Sequence, residues 1–288
     1  MTSAMEEIPK MKIRVVTDSA SNMKKMEKID FGLAPLFIST AEKEYLDDDQ
    51  LNITEFIQDL ETYHGKTTTA CPSVSAWLDS FEDADHIFCI PISSTLSGSY
   101  NSAMIAKEQY EEMNPGKKVY VMDSRSAGPG MRLLAEKIGE LVKENLSFDA
   151  ICNKIEAYKE KKMCLIYCLS SLHNLASNGR VPSAIAKITD LIGIRIIGDV
   201  GEDGHVHPVG KARGEKKALS AIFENMKKHG YQGGKVIIDH CINDSAASKL
   251  KEIIHEEFQN AQIKIGTTRG LCSFYAEKEG LMIGFERG

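Results

Sequence analysis

The sequence predicts an α/β fold in two units: a parallel sheet flanked by helices over residues 11–160, then a second α/β unit over 161–288. Three observations lead there. Short β-branched runs alternate with helical patterns through the first half, as parallel sheets require. Several of those runs end in serine or threonine just before a helix opens. The second half changes rhythm and contains a hairpin turn, Gly201-Glu202-Asp203-Gly204.

In order, Ile13–Thr17 reads as a strand ending in Asp18-Ser19-Ala20-Ser21, and Leu33–Ile38 as a second strand. Ile53–Thr62 has helical spacing after a capping Asn52. Lys66–Ser73 reads as a loop, and Pro72 stands just ahead of a helix over Val74–Asp83. His86–Ile92 is a buried strand, followed by Ser93-Ser94-Thr95-Leu96-Ser97-Gly98 and a helix through Ala103–Tyr110. Val119–Met122 is a strand ending in Asp123-Ser124-Arg125-Ser126, before a long helix to about Asn145 and another over Phe148–Lys161. The second half reads as strand Cys164–Leu169, short helix Ser171–Ala176, helix Ser183–Leu191 and strand Ile194–Val200. Across the hairpin turn come strand His205–Lys211, helix Ala218–Lys228, strand Lys235–Asp239 and helix Ser245–Phe258. Strands Gln262–Thr267 and Leu281–Phe285 close the chain.

Composition narrows the function. The 288 residues are 42% hydrophobic, enough for a real core. A net charge of −6 argues against nucleic acid or an anionic membrane surface as the main partner. No apolar run approaches a bilayer span, and Met1–Lys10 lacks the apolar stretch of a signal peptide. Seven cysteines without a Cys-x-x-Cys pair read as free thiols of a reducing cytoplasm, so the expected localisation is cytoplasmic.

The hydroxyl-rich strand ends carry the functional signal. Ser19/Ser21, Thr67–Thr69 with Ser73, Ser93/Ser94/Thr95/Ser97 and Ser124/Ser126 gather on one edge if their strands are parallel, where open α/β sheets bind ligands. Hydroxyls and helix N-termini with few cations suit a carboxylate or phosphate held by neutral donors. Simple helix capping is the competing account. No catalytic set accompanies the edge: there is no Gly-x-Ser-x-Gly elbow, Walker loop or Gly-x-Gly-x-x-Gly. Asp47-Asp48-Asp49 reads as a solvated turn and His205-x-His207 as a poor metal pair, so neither a metal nor a cofactor is expected.

The chain carries, in order, Val16-Thr17-Asp18-Ser19-Ala20-Ser21, Thr69-Ala70-Cys71-Pro72-Ser73, Ser93-Ser94-Thr95-Leu96-Ser97-Gly98, Asp123-Ser124, Gly179-Arg180 and Lys211-x-Arg213. Together these motifs resemble the DegV family of bacterial fatty-acid-binding proteins. The resemblance spans Met11 to the C-terminus and implies a two-domain DegV-like fold with a long-chain fatty acid in an apolar tunnel. It implies a carboxylate held by Thr69 and by a serine of the Ser93-Ser94 pair, with Ser97, Gly98 and Ser124 as further pocket residues; Arg269, a departure from the family pattern, is expected to add a cation near the ligand head if it points inward. It also implies presentation to a separate fatty acid kinase, which makes an acyl phosphate, with Arg180 and Arg213 at the kinase-facing surface. The chain departs from the family pattern at Ala70-Cys71, at Asn178 and at Thr267-Thr268-Arg269-Gly270-Leu271-Cys272.

The expectation is therefore a non-catalytic carrier. The alternatives are an α/β enzyme acting on a small carboxylated or phosphorylated substrate, and an interaction module whose hydroxyl edge is incidental. The enzyme would need a base or metal close to Ser94.

Overall fold

The computed structural model describes residues 11–182, 184 and 193–288. Strand β1 (Ile13–Asp18) is the hub of the first half. It pairs in parallel with β2 (Asp30–Ala34) on one side and β6 (His86–Ile90) on the other, and β6 pairs in parallel with β7 (Lys118–Val121). As central parallel strands, β1 is buried from Arg14 to Asp18 and β6 from Ile87 to Ile90, with Val15, Val16, Ile87, Phe88 and Ile90 supplying the apolar core.

Helices α2 (Val74–Phe81) and α3 (Ser99–Met113) cover one face, where Trp77, Phe81, Ala103, Ala106 and Tyr110 are buried against Val16, Ile87 and Val119. Burying each large side chain contributes roughly 1.5–3 kcal/mol. Ser73 caps α2 by accepting from the Ala76 N–H at 3.1 Å, and Pro72 precedes it. On the opposite face lie α4 (Pro129–Lys143) and α5 (Phe148–Lys162). Helix α4 opens on Pro129, whose missing N–H costs nothing at that position.

The same two helices also pack on a second, six-stranded sheet. Its order is β10 (Val206–Arg213), β9 (Ile194–Val200), β8 (Met163–Leu169), β13 (Leu281–Arg287), β11 (Tyr231–His240), β12 (Gln262–Thr267). Only β11–β12 is parallel. Helices α7 (Glu215–Lys228) and α8 (Asp244–Glu257) cover its far face. The layers run helix, parallel sheet, helix, mixed sheet, helix. The expected division near residue 160 falls at the α5–β8 junction, but the core does not divide there. One apolar cluster joins Val15, Phe88 and Leu134 to Leu165, Leu271 and Met282.

Three sequence readings need correction. The strand expected over Leu33–Ile38 is two, because Pro35 has no N–H for a ladder; β2 ends at Ala34, and Phe37–Ser39 forms β3 in another sheet. The loop expected over Lys66–Ser73 contains β5 (Thr68–Ala70), which joins β3 and β4 (Glu44–Leu46) in a small antiparallel sheet, order β4-β3-β5. Thr69 therefore does not sit at the edge of the parallel sheet. A helix that was not expected, α9 (Gly270–Ala276), packs from the second half onto β3 and onto α1 (Ile53–Thr62). The helix expected over Ser183–Leu191 lies outside the described residues.

Candidate functional site

Most hydroxyls at the strand ends are spent inside the protein. Thr17 and Ser21 share a hydrogen bond at 2.8 Å, and Ser19 Oγ accepts from the Leu36 N–H at 3.0 Å. Ser124 Oγ donates to the Ser126 carbonyl at 3.1 Å, and that carbonyl also accepts from the Ser93 N–H at 2.9 Å. Ser93 is fully buried, and its hydroxyl donates to the Gly204 carbonyl at 2.9 Å, beside Thr95 Oγ1 at 2.7 Å. The serine turn thus holds the tip of the β9–β10 hairpin. Gly204 is required there: a Cβ would lie 2.4 Å from Ser93 Oγ, and its φ is +80°. Ser94 is exposed, with its hydroxyl on Asp123 Oδ2 at 2.5 Å. Of the two serines, only Ser94 has a hydroxyl that reaches solvent.

Asp18 organises the same turn from below. Fully buried at the end of β1, it accepts from the Ile92 N–H at 2.9 Å, the Ser99 hydroxyl at 2.6 Å and the Ala20 N–H at 3.2 Å. Burial pushes its carboxyl up to about 7, against the pull of those donors. Its effect is to fix both ends of the segment Ile92–Ser99.

That segment forms one wall of a narrow apolar cavity of about 80 Å³. Ile92, Leu96 and Ser97 face Leu165, Tyr167 and Leu169 of β8, Val200 of β9, and Leu271, Cys272, Tyr275 and Ala276 of α9. The walls thus come from both halves of the chain. The polar groups along it are few. Thr69 Oγ1 and Tyr275 Oη share a hydrogen bond at 2.9 Å, and the Arg180 guanidinium lies 5.8 Å from the Tyr275 ring. Arg180 also donates from Nε to the Leu96 carbonyl at 3.1 Å and from Nη1 to Asn178. It therefore latches the segment after α6 (His173–Ser177) onto the opposite wall. Burial raises the Tyr275 phenol, while Thr69 and Arg180 oppose the shift. One hydroxyl pair and one cation at the edge of an apolar slot form an arrangement that can anchor the acidic end of a long apolar molecule.

The structure brings together Thr69, Ser97 and Arg180 at the cavity but leaves Ser93, Ser94, Ser124 and Arg269 off its wall. Gly98 lies close to the Thr69 loop, where a Cβ would meet Cys71 Sγ at 3.4 Å. Arg213 is exposed on the outer strand β10. Arg269 is 4% exposed and turned away, donating to Asp49 Oδ1 at 2.6 Å, the Met23 carbonyl at 3.1 Å and the Asp47 carbonyl at 3.2 Å. The Asp47–Asp49 turn is correspondingly not wholly solvated. Asp47 is buried, and its carboxylate accepts from the N–H groups of Gly270 (2.7 Å) and Leu271 (2.9 Å), capping α9. Sequence reasoning missed Tyr275 because it missed the helix that carries it. No cluster of metal-ligating side chains is present among the described residues.

The family model described as an uncharacterised protein of the DegV family matches residues 12–287. A DegV domain-containing protein of Streptococcus gordonii is 39% identical over 96% of this chain and 99% of its own. A DegV family protein from Eubacterium eligens, solved loaded with heptadecanoic acid, superposes with a TM-score of 0.94 at 39% identity. The comparison covers 96% of this chain and all of that one. The Streptococcus pneumoniae fatty acid kinase (Fak) B3 protein, solved with linoleic acid, matches over the same shares with a TM-score of 0.94 at 37% identity. With its motifs in order and its fold and length shared throughout, this chain belongs to the DegV family.

Proposed function

We propose that the protein binds a long-chain fatty acid without transforming it and presents the carboxylate to a partner kinase for acyl phosphate formation. The observation that carries this reading is the apolar cavity edged by the Thr69–Tyr275 hydroxyl pair and Arg180. It lies in a fold shared with proteins solved with heptadecanoic and linoleic acids. Each methylene buried contributes about 0.8 kcal/mol. The cavity is narrow, so the acyl chain enters by moving flexible walls such as Leu96 and Met282 apart, which offsets part of that gain.

The carboxylate is placed at Thr69, whose hydroxyl can exchange Tyr275 for the ligand. Ser94 serves as the second donor after leaving Asp123, and Arg213 on the outer strand faces the kinase. Absence of a transmembrane helix among the described residues fits a carrier that does not insert stably into a membrane.

Native mass spectrometry of the purified protein, followed by titration with oleate and palmitate, tests the reading. A discrete added mass and saturable uptake are expected. Thr69→Val should weaken uptake about tenfold, the worth of one hydrogen bond to a charged group. Ser94→Ala should weaken it less, because its hydroxyl must first give up Asp123. An empty protein that takes up neither acid would sink the proposal.

A further inference from the structure

Tyr167 stands in the middle of β8 on the same face as Leu165 and Leu169, since strand side chains alternate, and all three line the cavity. It is 4% exposed, and its hydroxyl is buried with no hydrogen-bond partner among the described residues. Its hydrophobic neighbours among the described residues are Leu169, Leu172, Leu175, Val181, Ile196 and Ala276. Room for the phenol is built across the sheet. Its strand partner is Gly198, where a Cβ would come within 2.1 Å of both Oη and Cζ. Burial, with Asp199 nearby, raises the phenol well above its usual range, so the group stays an O–H donor. An orphaned buried donor is costly, and phenylalanine would pack the same ring without it.

We infer that Tyr167 is a ligand-facing donor: a subsite in the cavity wall for an oxygen carried on the acyl chain, favouring hydroxylated or oxo long-chain acids over plain saturated ones. This rests on the fatty-acid reading given above. A saturated chain passing Tyr167 leaves the hydroxyl unpaired, whereas an oxygen at the matching carbon satisfies it. The cavity then recognises the position of that oxygen as well as its presence.

The test is competition binding of stearate, oleate and a positional series of hydroxystearates to the wild type and to Tyr167→Phe. The expected result is one position in the series favoured over stearate by about threefold to tenfold, the worth of a buried hydrogen bond. In Tyr167→Phe that preference disappears, stearate affinity stays level or rises, and the thermal midpoint does not fall. Uniform weakening of every ligand by Tyr167→Phe, or a series without a favoured position, would overturn the subsite. A preference for oleate alone, lost in Tyr167→Phe, would overturn the oxygen assignment in favour of a weak O–H···π contact. Failure of the wild type to bind stearate at all would instead count against the fatty-acid reading itself.

Discussion

Replacing Asp47 by alanine removes the cap of a helix that forms part of the cavity wall. The carboxylate holds the Gly270 and Leu271 N–H groups at 2.7 and 2.9 Å, and lies 3.6 Å from Arg269 Nε. Losing a cap costs about 0.5–2 kcal/mol, and leaving buried N–H groups unpaired adds about 1–3 kcal/mol. Two effects work in the other direction. Burial raises the Asp47 carboxyl, so removing it recovers a desolvation cost. Arg269 also keeps Asp49 and two carbonyls. The net loss is about 2–4 kcal/mol, or roughly 4–8 °C in thermal midpoint for a chain of this size. The neighbours provide internal controls. Asp49, 62% exposed, gives up a screened pair worth about 0.5–1 kcal/mol. Asp48 is half-buried and among the described residues accepts only from the nearby Gln50 N–H, so its replacement costs less than about 0.5 kcal/mol. Thermal melts of the three variants should rank Asp47 far above Asp49 and Asp48. Fatty-acid affinity should fall in Asp47→Ala alone, because α9 carries Leu271, Cys272, Tyr275 and Ala276. Equal melts for all three would refute the capping argument.

Two further outcomes follow from buried carboxyls and from the two arginines. Asp18 and Asp239, both fully buried, are pushed up to about 7 and about 6 by desolvation. The folded state therefore holds protons that the unfolded state has released, and stability falls as pH rises from about 4 to about 7. Denaturant midpoints should be higher near pH 5 than near pH 8, by an amount on the order of a few kcal/mol; a level or rising profile would contradict the assignment. Arg213→Ala should leave fatty-acid affinity unchanged and lower acyl phosphate formation by a partner kinase several-fold, whereas Arg180→Ala should lower both, since Arg180 lines the cavity and holds the Leu96 carbonyl. Loss of fatty-acid binding in Arg213→Ala would move that residue into the pocket.

The alternating frame was legible because β1 and β6 are buried runs, β7 is a short Val-rich strand, and α1 and α2 carry their own caps, Asn52 and Ser73. What was not legible owes its structure to distant partners. Strand β5 is three residues long and exists because β3 lies beside it. Helix α9 is capped by a residue more than two hundred positions earlier, so no local pattern announces it. Thr69 was singled out by its motif, Arg180 was expected at a kinase-facing surface and not on the cavity wall where it lies, and Tyr275 depended on that hidden helix. Tyr167 was visible as the one side chain with a polar tip among the apolar faces of β8, Met-Cys-Leu-Ile-Tyr-Cys-Leu, and a phenol in such a run is a reason to look for its partner. For the serines, counting hydroxyls did not distinguish those that join strand ends from those that face a ligand.

The cavity is a seam. Leu36, Thr69, Ile92 and Leu96 belong to the first half of the chain, and Leu165, Tyr167, Val200 and Leu271 to the second. A molecule lodged between them is in contact with two sheets that meet only in the finished fold. Its binding energy resists their separation, by an amount that grows with the logarithm of ligand concentration over Kd. Cutting the chain between α5 and β8 would leave each fragment with one bank of a channel and an uncovered part of the shared core. The site is therefore a property of the docked halves, and its occupant acts as a wedge of removable core.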